Sequence, residues 1–291
     1  GFYEITVDGA DQEYILCAGL DKYNINELNV TGKRTVYIET PGQYQILVIR
    51  NGVCSQKDEI SLKVSAGANL SKLEENKETI IRLKDSGGEW VSFKPQKSGY
   101  YSLRMETKGN DNSLECIEMY EDPDSQEIIS AGDMTCIEEK HEYDQKEKAD
   151  IYTEVCEGYF DAQNQYYLKP YVFYGNENCD VKLTLNMAET VEIEDAESFT
   201  IPSEPKFMLV KTDFVQNTMF HIKGMEDKYI CMAQLSENAS HVWRSINSAV
   251  TITAGEQECL VYNSTGRNVQ LEQLTAEEIR ENSSRQLELS D

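Results

Sequence analysis

The residues of this 291-residue chain that could do chemistry are its cysteines, its three histidines and a dense set of carboxylates. The eight cysteines are Cys17, Cys54, Cys116, Cys136, Cys156, Cys179, Cys231 and Cys259. None forms a Cys-x-x-Cys pair and no Cys/His set has zinc-ligand spacing, so a structural zinc site is not expected. An even number without metal spacing favours disulfides and an oxidising, secreted setting. Buried thiols in a cytosolic protein are the alternative. His141 lies in a charged run, His241 precedes Val242-Trp243, and His221 stands between Phe220 and Ile222 on a strand that should turn it to solvent. No G-x-S-x-G elbow, H-E-x-x-H helix or Gly-rich phosphate loop occurs. No catalytic residue is expected, although carboxylates are abundant enough for an acid/base pair to arise by chance.

Two acidic turns allow a calcium site, because a hard cation takes several oxygen ligands from a loop. They are GNDNS (109–113) and YEDPDSQE (120–127), with Asp111, Glu121, Asp122 and Asp124 as the donors. Asp-Pro-Asp-Ser is equally an ordinary turn sequence, and an EF-hand glycine is missing. Seventeen tyrosines against two tryptophans offer flat, hydroxyl-bearing platforms for sugar rings. They are densest at Tyr166, Tyr167, Tyr171 and Tyr174, and strand alternation should bury about half of the set. Tyr100, Tyr152, Tyr171 and Tyr174 are the candidate ligand-binding residues. Residues 137–155 (IEEKHEYDQKEKADIYTEV) read as a long polar loop between Cys136 and Cys156. A bridge between those cysteines would pin its base and leave its tip free. A solvated loop without function is the plain alternative. Asn29, Asn69, Asn238, Asn263 and Asn282 each open a glycosylation sequon.

The charge balance excludes some partners. With 27 Lys+Arg against 52 Asp+Glu, the net charge of −25 repels nucleic-acid backbones and anionic membranes. Apolar residues at 40% and charged ones at 27% are globular values. Apolar runs such as Ile46-Leu47-Val48-Ile49 fall far short of the roughly 18 residues of a membrane span, so no insertion is expected. No signal peptide stands at Gly1, and the chain reads as mature or trimmed.

The elements that would position these groups are strands, and they recur. Residues 1–17, 99–116 and 217–231 each read as an alternating strand, a polar turn and a second apolar strand reaching a cysteine. Tyr3-Ile5-Val7 matches Tyr101-Leu103-Met105, so each strand should bury one face at period two. The second halves recur as well: 41–64, 163–185 and 254–274 each hold a strand, a turn and a closing alternating strand. The units are therefore 1–66, 67–188 and 189–275, followed by a polar tail, 276–291. Units two and three carry two further strands within 79–98 and 199–215, and unit one lacks both. Either the sequence is cut within that domain, or an upstream segment or a partner supplies the missing pair; an unpaired sheet edge would invite strand pairing with another chain. Residues 69–80 could hold a short helix or a linker. From the repeat, the cysteines are paired Cys17–Cys54, Cys116–Cys179, Cys136–Cys156 and Cys231–Cys259, a peptide map being the means of deciding.

The run GEWVSFKPQKSGYYSLRMETKGN resembles the bacterial pre-peptidase C-terminal (PPC-like) domain. Trp90, Phe93, Gly99 and Tyr101 carry the likeness, with Tyr166, Tyr167 and Leu168 later. It covers unit two best, unit three loosely and unit one in its second half. The cysteine set and the insertion are not part of that pattern. The resemblance implies a jelly-roll β-sandwich attached to secreted enzymes or surface proteins, with a targeting or binding role and in some members calcium. If the source is bacterial, as that family suggests, the sequons are coincidental. The expectation is an all-β chain of three tandem antiparallel β-sandwiches, the first lacking its N-terminal strands, extracellular or on the cell surface. Its role would be binding or adhesion, with glycans or surface proteins as partners and no cofactor other than calcium. An accessory region of a secreted hydrolase and a structural spacer are the alternatives.

Overall fold

A computed structural model of the chain describes residues 1–8, 14–19, 26–30, 33–37, 45–50, 61–67, 69–84, 89–109, 113–122, 129–132, 134–146, 148–174, 178–193, 198–204, 206–223, 230–235, 242–246 and 248–274. The expected polar tail, 276–291, lies outside the described residues. Every regular element among those described is a strand. The chain divides into two compact units, Gly1–Asn186 and Met187–Asp291. The first spans the first two sequence repeats and the second spans the third.

In the first unit, the first repeat supplies β1 (Phe2–Asp8), β2 (Tyr14–Gly19), β3 (Asn26–Val30), β4 (Lys33–Tyr37), β5 (Gln45–Arg50) and β6 (Ser61–Ala66). They form two sheets, ordered β4-β1-β6 and β3-β2-β5. The second repeat supplies β7 (Ser71–Leu73), β8 (Glu78–Lys84), β9 (Val91–Phe93), β10 (Gly99–Lys108) and β11 (Ser113–Asp122). It continues with β12 (Ile129–Gly132), β13 (Thr135–Asp144), β14 (Ala149–Phe160), β15 (Gln165–Tyr174) and β16 (Asn178–Met187). Its sheets run β13-β14-β10-β16-β8 and β12-β11-β15-β9-β7. The second unit holds β17 (Glu189–Ile193), β18 (Ser198–Ile201), β19 (Phe207–Phe214), β20 (Thr218–Lys223) and β21 (Ile230–Leu235). It closes with β22 (Arg244–Ile246), β23 (Ala249–Ile252), β24 (Gly255–Tyr262) and β25 (Val269–Gln273). The sheets are β17-β19-β24-β21-β22 and β18-β25-β20-β23.

Each sequence repeat thus builds its own pair of sheets, and the strand orders superimpose. β10 beside β16 beside β8 corresponds to β20 beside β25 beside β18. β11, β15, β9 and β7 correspond to β21, β24, β19 and β17, down to the parallel pairing of β7 with β9 and of β17 with β19. The first repeat has counterparts of the strands from β10 onward, and its β6 and β5 end their sheets where β8 and β9 follow in the second repeat.

Alternation decides which face is buried. On β10, Tyr101, Leu103 and Met105 are buried while Tyr100, Arg104 and Glu106 are half-buried. Phe93, Tyr101, Phe160 and Tyr166 meet edge to face inside the second repeat, with centroids 5.3 Å (Phe93–Tyr101), 5.4 Å (Tyr101–Phe160) and 4.6 Å (Phe160–Tyr166) apart. That geometry suits the ring quadrupoles. The residues that carry the PPC-like likeness are therefore largely core residues. The Tyr101 hydroxyl donates toward the Lys97 carbonyl at 2.8 Å and Glu75 at 3.0 Å. Burial, and then the Glu75 carboxylate, push this phenol well above its ordinary pKa. The second unit has its own core, built from Met208, Val210, Phe220, Ile222, Val261 and Leu271 among others.

Two sequence expectations are corrected. Residues 69–80 are not helical: they give β7, a turn and the start of β8. Asn76 takes φ 59°, a left-handed conformation that breaks any helix, and its N–H bonds Leu185 O at 2.9 Å. Residues 137–155 are not a loop but most of the β13–β14 hairpin, which extends the five-stranded sheet at its edge. Its turn is set by the Asp144 carboxylate accepting the Lys146 N–H at 2.8 Å and by Lys148 at φ 52°.

Candidate functional site

The hairpin places a strip of reactive groups along one face. Antiparallel register sets Cys136 opposite Cys156, Glu139 opposite Glu154 and His141 opposite Tyr152. On the next strand, Leu103 faces Cys156 and Met105 faces Glu154, so the β14 side of this strip continues the buried face of the sheet, while Cys136, Glu139 and His141 on β13 are exposed. Within it the Cys156 thiol donates to Glu154 Oε1 at 3.0 Å, and the Tyr152 hydroxyl donates to Glu139. His141 Nε2 lies 3.2 Å from Asp150 Oδ1. Cys156 is four residues from Tyr152, a rise of about 13 Å. His141 therefore stands well outside the hydrogen-bond reach that a thiol nucleophile needs from its base. Among the described residues no group of three His, Cys, Asp or Glu side chains could hold a metal ion.

The cysteine geometry separates the expected pairs. Directly opposed residues on antiparallel strands have Cα atoms roughly 4.5–5.5 Å apart, inside the window for a disulfide. Cys136 and Cys156 occupy such a position, with a β-bulge immediately after Cys136. Cys231 lies opposite Tyr262 and Cys259 opposite Gln234. Three register positions separate those two cysteines and put them on opposite faces of one sheet, so a Cys231–Cys259 bridge does not form in this geometry. The structure has no disulfide among Cys136, Cys156, Cys179, Cys231 and Cys259. Burial raises the Cys179 thiol and pushes that of Cys259 up to about 11. Cys17 and Cys116 lie on β2 and β11 with side chains outside the described residues, and Cys54 lies outside them altogether.

Tyr100 and Tyr152 part company. Tyr152, named above as a candidate ligand-binding residue, is buried in the hairpin strip. Its place opposite His141 and its hydroxyl bond to Glu139 turn it inward. Tyr100 is half-buried on the outer face of the five-stranded sheet, directly opposite Tyr159. The two rings meet edge to face at 5.3 Å and 74°, and Tyr159 is 52% exposed. Tyr159 was missed in the sequence, yet its neighbour Phe160 is an obvious core residue, and alternation alone turns Tyr159 outward. At the end of the strand, Ser98 donates to Asp161 Oδ1 at 3.2 Å, and Asp161 also accepts the Gln163 N–H at 2.8 Å. Tyr171 and Tyr174 pair by backbone with Glu115 and Ser113, and their side chains lie outside the described residues.

Of the two acidic segments, Ser113 opens β11 and Glu121 lies near its far end, eight residues on along one strand, roughly 27 Å. Glu121 and Asp122 pair by backbone with Tyr166 and Gln165. Their side chains, and the whole of Asp111 and Asp124, lie outside the described residues.

A second aromatic group joins the first repeat to the second. Phe2 lies 5.0 Å from Tyr37, 5.2 Å from Trp90 and 4.6 Å from Tyr167, centroid to centroid. Lys169 Nζ sits 5.3 Å over the Trp90 ring, a cation–π contact. Asn263 of the 263–265 sequon is fully buried in the second unit. Its amide nitrogen donates to the Pro202 carbonyl at 2.8 Å and the Arg267 carbonyl at 2.9 Å, and its oxygen accepts the Thr265 N–H at 3.0 Å. An amide so enclosed offers no nitrogen to a glycan. His221 is exposed, as its strand position predicts. No described helix is long and apolar enough to cross a membrane. Compared with protein-family models and with curated proteins, the chain has no match in either.

Proposed function

We propose that this chain is a non-catalytic binding module of three tandem β-sandwich repeats, extracellular or on the cell surface, with carbohydrate as its ligand class. The observation that carries this reading is the Tyr100–Tyr159 pair, two aromatic rings held at a fixed mutual angle on the outer face of a sheet. Such a pair presents apolar ring faces to the C–H face of a pyranose and two hydroxyls to its rim. The PPC-like likeness of the second repeat agrees with an appended binding domain. The opposed Cys136 and Cys156 suit a bridge in an oxidising compartment.

The test is binding of labelled protein to a broad glycan array, with calcium and with chelator, using the intact chain and its Tyr159→Ala variant. Saturable binding to one glycan class that falls at least tenfold in the variant supports the reading. Equal binding by both proteins removes the tyrosine pair from it. The clasp of Phe2, Tyr37, Trp90 and Tyr167 favours a second reading, a rigid spacer. A spacer binds no glycan in any condition.

A further inference from the structure

We propose that Cys136 and Cys156 are a reversible thiol–disulfide exchange site: exposed Cys136 reacts with a small-molecule disulfide, buried Cys156 resolves the adduct, and the resulting bridge fastens edge strand β13 to its sheet. Three observations divide the roles. The two residues lie directly opposite each other on β13 and β14. That position sets their Cα atoms roughly 4.5–5.5 Å apart, a separation a disulfide spans. Among the described cysteine side chains Cys136 alone is exposed, whereas Cys156, Cys179, Cys231 and Cys259 are buried. A reagent from solution therefore meets Cys136 first. Cys156 has the buried Leu103 on its other side, and its thiol donates to Glu154 Oε1 at 3.0 Å. A carboxylate accepting from the thiol favours its protonated form, so Cys156 stays a thiol until a reactive sulfur is placed beside it.

The chemistry balances with a disulfide such as oxidised glutathione. The Cys136 thiolate attacks one glutathione sulfur, a mixed disulfide forms, the glutathione S–S bond breaks and one glutathione thiolate leaves. The Cys156 sulfur then attacks the Cys136 sulfur, the protein bridge forms and the second glutathione leaves. The protons of both protein thiols end on the two glutathiones: two protein thiols are oxidised and one glutathione disulfide is reduced. Reduced glutathione reverses the sequence by attacking the exposed Cys136 sulfur. What the bridge changes is the hold on β13. Within that strand Ile137 alone is buried. Glu139 stands directly opposite Glu154, a like-charge pair that opposes strand pairing. The turn after Asp144 closes one end of the β13–β14 ladder, and Cys136 and Cys156 lie near its open end. A covalent tie there stops β13 from peeling away from β14, the kind of local opening to which a thinly packed edge is prone.

The experiment exposes the reduced 291-residue protein to oxidised glutathione under native conditions. Samples are acid-quenched over time and mapped by peptide fragmentation in a mass spectrometer. A glutathione adduct on Cys136 should appear first and decay into a Cys136–Cys156 cross-link, which reduced glutathione then opens. Cys136→Ser, a change at an exposed position, should leave Cys156 without an adduct while the protein stays folded. Hydrogen exchange is compared between the bridged and reduced forms of the unaltered protein. Backbone amides of residues 138–144 should exchange about tenfold more slowly, or better, once the bridge is closed. An adduct that forms first on Cys156 overturns the proposal, as does a Cys136 adduct that accumulates without closing. A bridge that reduced glutathione cannot open overturns it as an exchange site, and unchanged exchange across 138–144 overturns it as a fastening of β13.

Discussion

Asn263 offers the sharpest test of what holds the second unit folded. It is fully buried at the end of β24 and organises the turn into β25 through four side-chain bonds. Replacing it with alanine removes both donated bonds and both accepted ones. The Thr265 hydroxyl keeps an acceptor, the Arg267 carbonyl at 2.9 Å, and that carbonyl keeps the hydroxyl as donor. The Pro202 carbonyl and the Thr265 N–H each lose this partner. At about 1–2 kcal/mol for each such group, Asn263→Ala should cost the second unit roughly 2–4 kcal/mol. For a unit of about 100 residues this corresponds to a fall of some 10–20 °C in its melting temperature. Calorimetry and urea unfolding followed by circular dichroism measure it. Asn263→Asp adds a signature: it keeps the accepting oxygen but turns a negative charge toward two carbonyls, which raises the folded-state carboxyl pKa. The folded protein then binds the proton more readily than the unfolded one, so the deficit of this variant must shrink as pH falls toward the ordinary carboxylate range. A loss below about 0.5 kcal/mol in the alanine variant would refute the reasoning. So would a deficit in the aspartate variant that ignores pH.

Three further outcomes are expected. Because the buried Cys259 thiol is pushed up to about 11, the unfolded chain ionises first as pH rises past its ordinary value of 9.0. Stability of the second unit should therefore decline from there to about pH 11, and Cys259→Ala should flatten that decline in urea titrations at stepped pH. Tyr101→Phe leaves the Lys97 carbonyl and Glu75 without the phenol, and should cost the first unit about 1–2 kcal/mol with its aromatic core otherwise intact, as near-ultraviolet dichroism would show. Exposure to oxidised glutathione should join Cys136 to Cys156, found as one cross-linked peptide by mass spectrometry. Closing a loop of about 20 residues limits the gain to roughly 3 kcal/mol, and a map joining Cys231 to Cys259 instead would contradict the observed register.

How far the fold could be read from the sequence depended on whether a strand shows its buried face in its composition. Tyr101-Leu103-Met105 and Val269-Leu271 are apolar at every second position, so their strands and inward faces were legible, and the repeat followed from them. β13 was not. Its run Glu138-Glu139-Lys140-His141-Glu142 is polar on both faces because it lies at a sheet edge beyond the core, where no alternation is needed. β7 failed for another reason: three residues on a parallel edge leave no period to detect, and Leu70 and Leu73 mimic helical spacing. The site divided in the same way. Opposing Cys136 to Cys156 needed only the idea of a repeat with an insertion. Placing Cys231 and Cys259 on opposite faces needed a register that spacing along the chain does not contain.

The aromatic clasp at Phe2 has a mechanical side. The chain enters β1 and leaves β6 at the same end of their ladder, where Gly67 N–H bonds the Phe2 carbonyl at 3.0 Å. A load pulling those two points apart bears on one rung at a time, the weak way to stress a sheet. Phe2 is the first rung, and it is the residue gripped by Tyr37, Trp90 and Tyr167. The first repeat thus behaves as a zipper whose tab is held by its neighbour: under tension, the force needed to start the tear is set by four rings in tilted and edge-on contact rather than by the strands behind them.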